Sequence, residues 1–535
     1  MSLPRSVADV INQHVTLELE CLDRVYLNVY QPKLQTPKAM YYFLREFHGQ
    51  GAVSSRKMKA ITERFVTNIA DYADQNDVPI ITFEKGQRKE DVATEYLRKS
   101  DGREGILFIG KAQEKVRTFR TEGRRNDRGE TYPWIVESTA MVNQYYFYGV
   151  DDDFGPFFLK SSSYVPYGAK LCFNGHEFLK RQLDKEGIGY EELANGILCC
   201  DDPRRMQQLA GRLSPTRIER LLRKWQRRLP CPFRVVEQRA GYRYDVSMTQ
   251  VEFALTQVVN RPVHGRIFFE EVIRENLDLG RPHNVQLIFD RRVIKTTPGK
   301  FRTRVVRQGV IPSLRIDYKT NGIKQYFKEG RALRTELTVA NPYDFGTRRK
   351  LEHLPELRKR GFATPRRVLD VQKTSQDFAM SEELFREVTG PRDVDGQRAS
   401  ALKFGDPLVF ALYSVLVLFR LLPCGFRSRD LREHLSALLG VDPTHWTQGR
   451  LTYQLRRLRL HGLIQRAAGS HRYTVTERGY RVALWMSRCQ ARVLRRSLGD
   501  LLSSSSYDET LHDAIRRFDQ HVERSFQTAN VQTAA

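Results

Sequence analysis

The chain has 535 residues, 40% hydrophobic and 28% charged, which excludes wholesale disorder and is too long for one ordinary core, so roughly two to four domains are expected. Its 88 Lys and Arg against 63 Asp and Glu leave a formal charge of +25, which attracts polyanions without selecting a base sequence. Seven scattered cysteines form no CxxC pair, which argues against a zinc finger or disulfide framework and fits a reducing, cytoplasmic location. No charged-then-apolar leader is present, and the most apolar run, 408–422, carries Arg420 and is short of a membrane span, so no membrane association is expected.

In chain order, period-two alternation over 24–30 predicts a strand, 38–70 a helix, 78–83 a strand, 91–99 a helix and 105–109 a strand. This order makes residues 1–135 a mixed α/β N-terminal domain. Aromatic residues crowd 143–150, 154–160 and 169–175, where tyrosines and phenylalanines among basic residues either pack a strand core or stack bases. Residues 214–229 predict a helix: Ser214 caps it, Pro215 suits its first turn, and Ile218, Leu221, Leu222, Trp225 and Leu229 form one stripe. Its remaining surface carries Arg223, Lys224 and Arg227, suited to phosphate or to solvent. It ends an aromatic and basic α+β region, 136–232, bounded by Pro230 and Pro232.

Residues 233–395 are predicted as an antiparallel, strand-rich central domain. Its strands are 244–259, where helix and strand compete, then 285–289, 301–306, 313–318 and 333–339. Thr320, Asn321 and Gly322 predict a tight hairpin turn, and Gly330 the next one. Arg315, Lys324 and Arg334 alternate along these strands as candidate nucleic-acid contacts.

The segment 400–482 contains an apolar helix over 404–422, a second helix over 429–439 capped by Ser428, and a third beginning near Thr447. In the third, Leu451, Leu455 and Leu458 face inward, leaving Arg450, Tyr453, Gln454, Arg457 and His461 on outward or flanking surfaces. Arginine and glutamine suit major-groove base edges, and Arg456 and Arg459 suit phosphates. A short hairpin follows, with Arg466, His471 and Arg472 around its tip. This combination resembles the winged-helix superfamily, which implies a C-terminal winged helix reading double-stranded DNA. Residues 483–535 are predicted as a helical extension, with helices over 479–501 and 509–526 around Ser503–Ser506 and a role in homodimerisation that would address an inverted repeat.

Residues 314–339 resemble the initiator proteins of rolling-circle replication, in which a Lys-Tyr strand precedes a strand with Arg and Glu, here Lys324, Tyr326, Arg334 and Glu336. That family implies a nucleophilic tyrosine and two histidines separated by one bulky apolar residue; none of the twelve histidines forms such a pair. A Mg²⁺-dependent nuclease would need converging carboxylates, for which Glu252, Asp290 and Glu336 are the central candidates and Asp151, Asp152 and Asp153 further ones. Glu84, Lys85, Lys89, Glu90 and Lys111 form a second polar set. Walker A, GxGxxG, HExxH and GxSxG patterns are absent. The expectation is an α+β multidomain, bacterial-type DNA-binding protein serving replication, mobile elements or phage defence. The alternatives are a Mg²⁺-dependent nuclease associated with RNA, and a regulatory protein whose basic segments bind RNA or protein.

Overall fold

The computed structural model describes residues 7–49, 53–84, 86–268, 302–308, 311–374, 380–420, 422, 424–490 and 517. They form an α+β multidomain protein with a mixed α/β N-terminal region, a strand-rich central region and a separate C-terminal helical core. Among the described residues no helix is long and apolar enough to cross a membrane.

Helix α1 (Val7–His14) runs directly into the long strand β1 (Val15–Tyr30). The helix expected over 38–70 is two helices, α2 (Pro37–Phe47) and α3 (Ser55–Gln75). Gly49 breaks it, at φ +97°, a left-handed backbone that a helix does not contain. After β2 (Ile80–Thr82) and α4 (Lys89–Lys99) come β3 (Gly105–Arg125) and β4 (Thr131–Asp151), two 21-residue strands forming one hairpin. The short strand expected at 105–109 is therefore only the start of β3, and the division expected at 135 falls inside β4. Charged residues along both strands hide their alternation, and the hairpin closes where Asn126 Oδ1 accepts from the amides of Arg128 and Glu130.

Strands β5 (Gly155–Ser162) and β6 (Ala169–Asn174) lead to α5 (Gly175–Glu186), the small hairpin β7 (Tyr190–Leu193) and β8 (Gly196–Cys200), and helices α6 (Pro203–Gly211), α7 (Pro215–Arg228) and α8 (Val235–Arg239). Helix α7 begins as its sequence predicts, with Ser214 Oγ accepting from the Arg217 amide. The stretch in which helix and strand competed is strand β9 (Asp245–Val259). Strands β10 (Arg302–Gln308), β11 (Ile311–Tyr318), β12 (Asn321–Lys328) and β13 (Ala332–Val339) complete the central meander; the strand expected at 285–289 lies outside the described residues. Asn321 and Gly322 stand within β12 rather than in its turn, which Lys319 and Thr320 make with Lys319 at φ +54°. The Asn321 side chain instead accepts from the amides of Ala340 and Asn341 and donates to Asp344, tying the hairpin to the exit of β13.

Strands from all three expected N-terminal and central segments share one eleven-stranded sheet, ordered β10-β11-β12-β13-β9-β1-β6-β5-β4-β3-β2. One face is buried beneath α1, α3, α7 and helix α9 (Leu354–Thr374). On the other face, α5, α6 and β7–β8 cover Leu17, Leu19 and Cys21 of β1 with Val258 and Ala332 beside them. A register shift between Leu22 and Val25 lets β1 do both: Leu17, Leu19 and Cys21 point one way, Val25, Leu27 and Val29 the other. Asp23 and Arg24 sit in the irregularity.

That irregularity places Asp23 against Arg334 of β13, whose guanidinium is fully buried. Arg334 Nη2 donates to Asp23 Oδ2 at 2.7 Å, Arg334 Nε pairs with Glu336 at 2.8 Å, and Nη1 donates to the Asn195 carbonyl. Removing one partner of a buried ion pair costs about 3–5 kcal/mol, because the other charge remains desolvated. Arg334→Met is therefore expected to lower unfolding free energy by that amount in urea titration, with Asp23→Asn in the same chain adding much less than its separate cost. Full additivity of the two substitutions would contradict the pairing.

The C-terminal domain comprises α10 (Glu382–Thr389), hairpin β14 (Arg392–Val394) and β15 (Gln397–Ala399), helices α11 (Pro407–Phe419), α12 (Ser428–Leu439) and α13 (Gln448–Leu460), hairpin β16 (Ile464–Arg466) and β17 (Tyr473–Val475), and α14 (Glu477–Cys489). Ser428 is the first helical residue of α12 rather than its cap; the cap is Arg427, whose amide donates to Asp430 at 2.7 Å. The helix expected over 479–501 is described only as α14, and the serine run and the helix expected over 509–526 lie outside the described residues apart from Arg517.

Candidate nucleic-acid interface

Helix α13 starts where Thr447 Oγ1 accepts from the Arg450 amide, and Leu451, Leu455 and Leu458 enter the core formed with α11 and α12. Tyr473 of β17 exchanges two backbone hydrogen bonds with Phe426, at 2.8 and 2.9 Å, which docks the hairpin beside the start of α12. Gln448, Gly449, Arg450, Thr452, Tyr453, Arg456 and Arg459 form the outward stripe, with Tyr453 48% exposed.

Three residues expected on outward or flanking surfaces are buried. Arg457 donates to the Ser400 and Ala401 carbonyls and to Gln454 Oε1, and His461 Nε2 lies 3.0 Å from the Ser400 carbonyl. The segment 397–401 leaving β14–β15 lies against this side of α13, and helical periodicity cannot reveal a strand that packs from elsewhere in the chain. Burial lowers the His461 pKa, so its neutral ring donates from Nε2. Gln454, Arg457 and His461 therefore hold the helix in place rather than read a ligand.

The outward arginines are held by neutral groups. Arg450 lies against His445, Arg456 donates to the Arg398 carbonyl, Arg459 reaches Gln397, Arg466 donates to the Ser470 carbonyl and Arg472 to those of Cys424 and Gly425. Among the described residues none of these five pairs with a carboxylate, whereas Arg478 on the following helix pairs with Glu387 at 2.7 Å. His471 is exposed at the hairpin tip beside Arg466.

The polar face of the sheet is a second concentration of candidate residues. Arg315 and Lys324 are cross-strand neighbours on β11 and β12, both partly exposed, with Lys324 Nζ 4.1 Å from the Tyr326 ring centre. Arg334, expected as a nucleic-acid contact, is sealed into the ion cluster instead. On α7, Arg223 and Arg227 are exposed, but Lys224 binds Asp151 at 2.8 Å and also Glu104, fastening the helix to the sheet. Asp151 further accepts from Trp225 Nε1 at 2.9 Å, and Asp153 pairs with Lys185, so both serve structure.

Glu252 and Glu336 do come together on adjacent strands β9 and β13, where Glu336 is already occupied by Arg334 and by the Tyr326 hydroxyl at 2.8 Å. Burial, with the Asp23 and Glu336 charges, raises the Glu252 pKa. Asp290 lies outside the described residues. Among the described residues no three His, Cys, Asp or Glu side chains are placed to hold a metal ion. Burial and the Glu336 charge push the Tyr326 phenol above its ordinary range, the opposite of nucleophile activation. In the second polar set, Lys85 lies outside the described residues, and Lys89 binds Glu114 at 2.9 Å and Tyr146 at 2.6 Å.

Sequence patterns gave no notice of Asp23, His176 and Asn195, which complete the buried cluster. Asn195 Nδ2 donates to Asp23 at 2.8 Å, and Arg334 Nη2 stands 3.0 Å from His176 Nε2, which must accept because the guanidinium can only donate. An aspartate inside an apolar strand and an Asn-Gly-His helix start were the available signals. Burial and the Arg334 charge lower the His176 pKa to about 3, while for Asp23 the cost of burial is outweighed by Arg334 and Asn195, leaving its carboxyl below the usual range.

Both groups have folded pKa values below their unfolded ones, so their stabilising contributions are full above the unfolded values and disappear as pH falls. For His176 the window runs from about 6.5, its unfolded value, down to about 3. Unfolding free energy should therefore decline as pH drops below about 6.5, and His176→Asn should flatten the upper part of that decline; an unchanged slope would contradict a buried neutral imidazole. No family model, curated protein or solved structure matches the chain.

Proposed function

We propose that this chain binds double-stranded DNA through its C-terminal domain, as a winged helix whose α13 enters the major groove and whose β16–β17 hairpin lies along the backbone. The observation that carries this reading is the set of outward arginines, Arg450, Arg456, Arg459, Arg466 and Arg472, held by neutral groups and free of carboxylates among the described residues. A guanidinium already paired with a carboxylate must lose that partner to take a phosphate, whereas these exchange only weak neutral contacts. In this reading Arg450 and Tyr453, nearest the start of α13, meet base edges, and Arg456 and Arg459 the flanking backbone. The formal charge of +25 adds long-range attraction to any polyanion.

The test is titration of a labelled duplex with the full chain across a salt series. Arg450→Glu with Arg456→Glu should weaken binding by about tenfold or more at low salt and reduce the salt slope by about one for each phosphate no longer neutralised. Arg223→Glu on α7 should leave it nearly unchanged. Absence of low-salt duplex affinity in a folded chain, or equal loss from both sets, would overturn the reading.

A further inference from the structure

A second hairpin, β14–β15, borders the outward stripe of α13. Tyr453, Arg457 and the C-terminal capping residue His461 follow one another at intervals of four, which places them on one line of the helix. All three reach Ser400, the residue that follows β15. Tyr453 Oη lies 2.7 Å from Ser400 Oγ, Arg457 Nε donates to the Ser400 carbonyl at 3.2 Å, and His461 Nε2 lies 3.0 Å from the same carbonyl. These contacts tie the hairpin to α13 over about two turns. Nearer its tip the hairpin meets the cations of the stripe: Arg456 Nη1 donates to the Arg398 carbonyl at 3.3 Å, and Arg459 Nη2 lies 3.5 Å from Gln397 Oε1.

Only the backbone of Arg398 is used in these contacts. Its side chain is exposed, and among the described residues it pairs with no carboxylate. Arg392 on the partner strand differs, since it is bonded to Glu387, which also takes Arg478 at 2.7 Å. A guanidinium with no carboxylate to give up takes a phosphate directly, so Arg398 extends the cationic stripe of α13 across its edge. Asp393 works against this. It is exposed and stands opposite Arg398 in the hairpin register, and opposed residues of an antiparallel pair share one face. A phosphate drawn to Arg398 is therefore repelled by the Asp393 carboxylate, while Asp395 lies beyond both in the turn, at φ +49°.

We infer that β14–β15 is a further duplex contact, in which Arg398 binds a backbone phosphate beside the one met by Arg456, and Asp393 holds that contact below its full strength. The inference rests on the duplex-binding reading of α13. It goes beyond that reading because the hairpin precedes α11 in the chain and is no part of the helices and β16–β17 hairpin that carry it. Backbone contacts of this kind set how a protein lies on the duplex without selecting a base sequence.

The experiment titrates a labelled duplex with the full chain across a salt series, beside the Arg450→Glu, Arg456→Glu chain. Arg398→Ala is expected to weaken low-salt binding about fivefold and to lower the salt slope by about one. The substitution keeps the carbonyl that Arg456 uses, so the loss reports the Arg398 guanidinium and not the placement of Arg456. Arg398→Lys, which keeps the charge, should restore the slope. Asp393→Asn should act in the opposite direction and tighten binding about twofold; a hairpin that only supports α13 predicts neither the slope change nor this gain. An unchanged slope in Arg398→Ala, or weaker binding in Asp393→Asn, while the Arg450→Glu, Arg456→Glu chain loses affinity, would overturn this inference alone. Absence of low-salt duplex affinity in the unsubstituted chain would overturn it together with the reading on which it rests.

Discussion

The body of this protein depends on a buried guanidinium. Arg334 joins β13 to β1 across β9 through Asp23, a residue 311 positions away in the chain, and reaches Asn195 at the β7–β8 turn and His176 in the first turn of α5. Taking these charges out of water costs several kcal/mol for each ion, recovered only when every donor and acceptor has a partner in good geometry. Bringing Asp23, His176 and the Asn195 carbonyl to this guanidinium ties together the bend of β1, the start of α5 and the small hairpin. The reversal of β1 between its two hydrophobic faces and the position of Asp23 are thus one feature. A chain that buries apolar residues on both faces of a strand needs an irregularity at the crossing point, and this one fills the irregularity with the charge that Arg334 requires.

Charge is handled differently in the two parts of the molecule. In the body, several cations are committed: Lys224 and Arg228 to Glu104, Arg205 and Arg212 to Glu186, Lys160 to Glu114, Arg366 to Glu20. On the outward side of α13 and its hairpin, arginines rest on carbonyls and neutral side chains. Net charge alone does not distinguish these situations, since it counts a paired arginine and an unpaired one equally. The distribution of partners does, and among the described residues it leaves Arg450, Arg456, Arg459, Arg466 and Arg472 without a carboxylate on the outward side of α13 and its hairpin.

Much of this was legible from local pattern. Alternation identified β11 and β13 but left helix and strand competing at β9, and the Ser214-Pro215 start with its apolar stripe marked α7 within a residue. Leu451, Leu455 and Leu458 were correctly assigned to the core. Failures arose where a distant segment decides a side chain's surroundings. Arg457, Gln454 and His461 occupy positions that periodicity leaves outside, yet residues 397–401 cover them. Arg334 reads as one more alternating cation, and only the sheet order brings Asp23 to it. The 21-residue strands β3 and β4 were obscured because charges interrupt the alternation along both, even though Phe119 and Ile135 are buried in a core with α2 and α3. The aromatic crowding at 143–160 was ambiguous for an opposite reason: alternate positions face different environments, Phe147, Phe157 and Leu159 in the core and Tyr148 and Phe158 partly exposed on the other side.

The central claim is that α13 and the β16–β17 hairpin are the surface that meets duplex DNA. Photocrosslinking the full chain to a bromouracil-substituted duplex, followed by mass-spectrometric identification of the attached peptides, tests it without altering any residue. Crosslinks are expected within residues 447–459 and 464–473, with Tyr453 the foremost aromatic acceptor because it is exposed on the outward stripe. Crosslinks confined to the sheet and absent from both of those segments would contradict it.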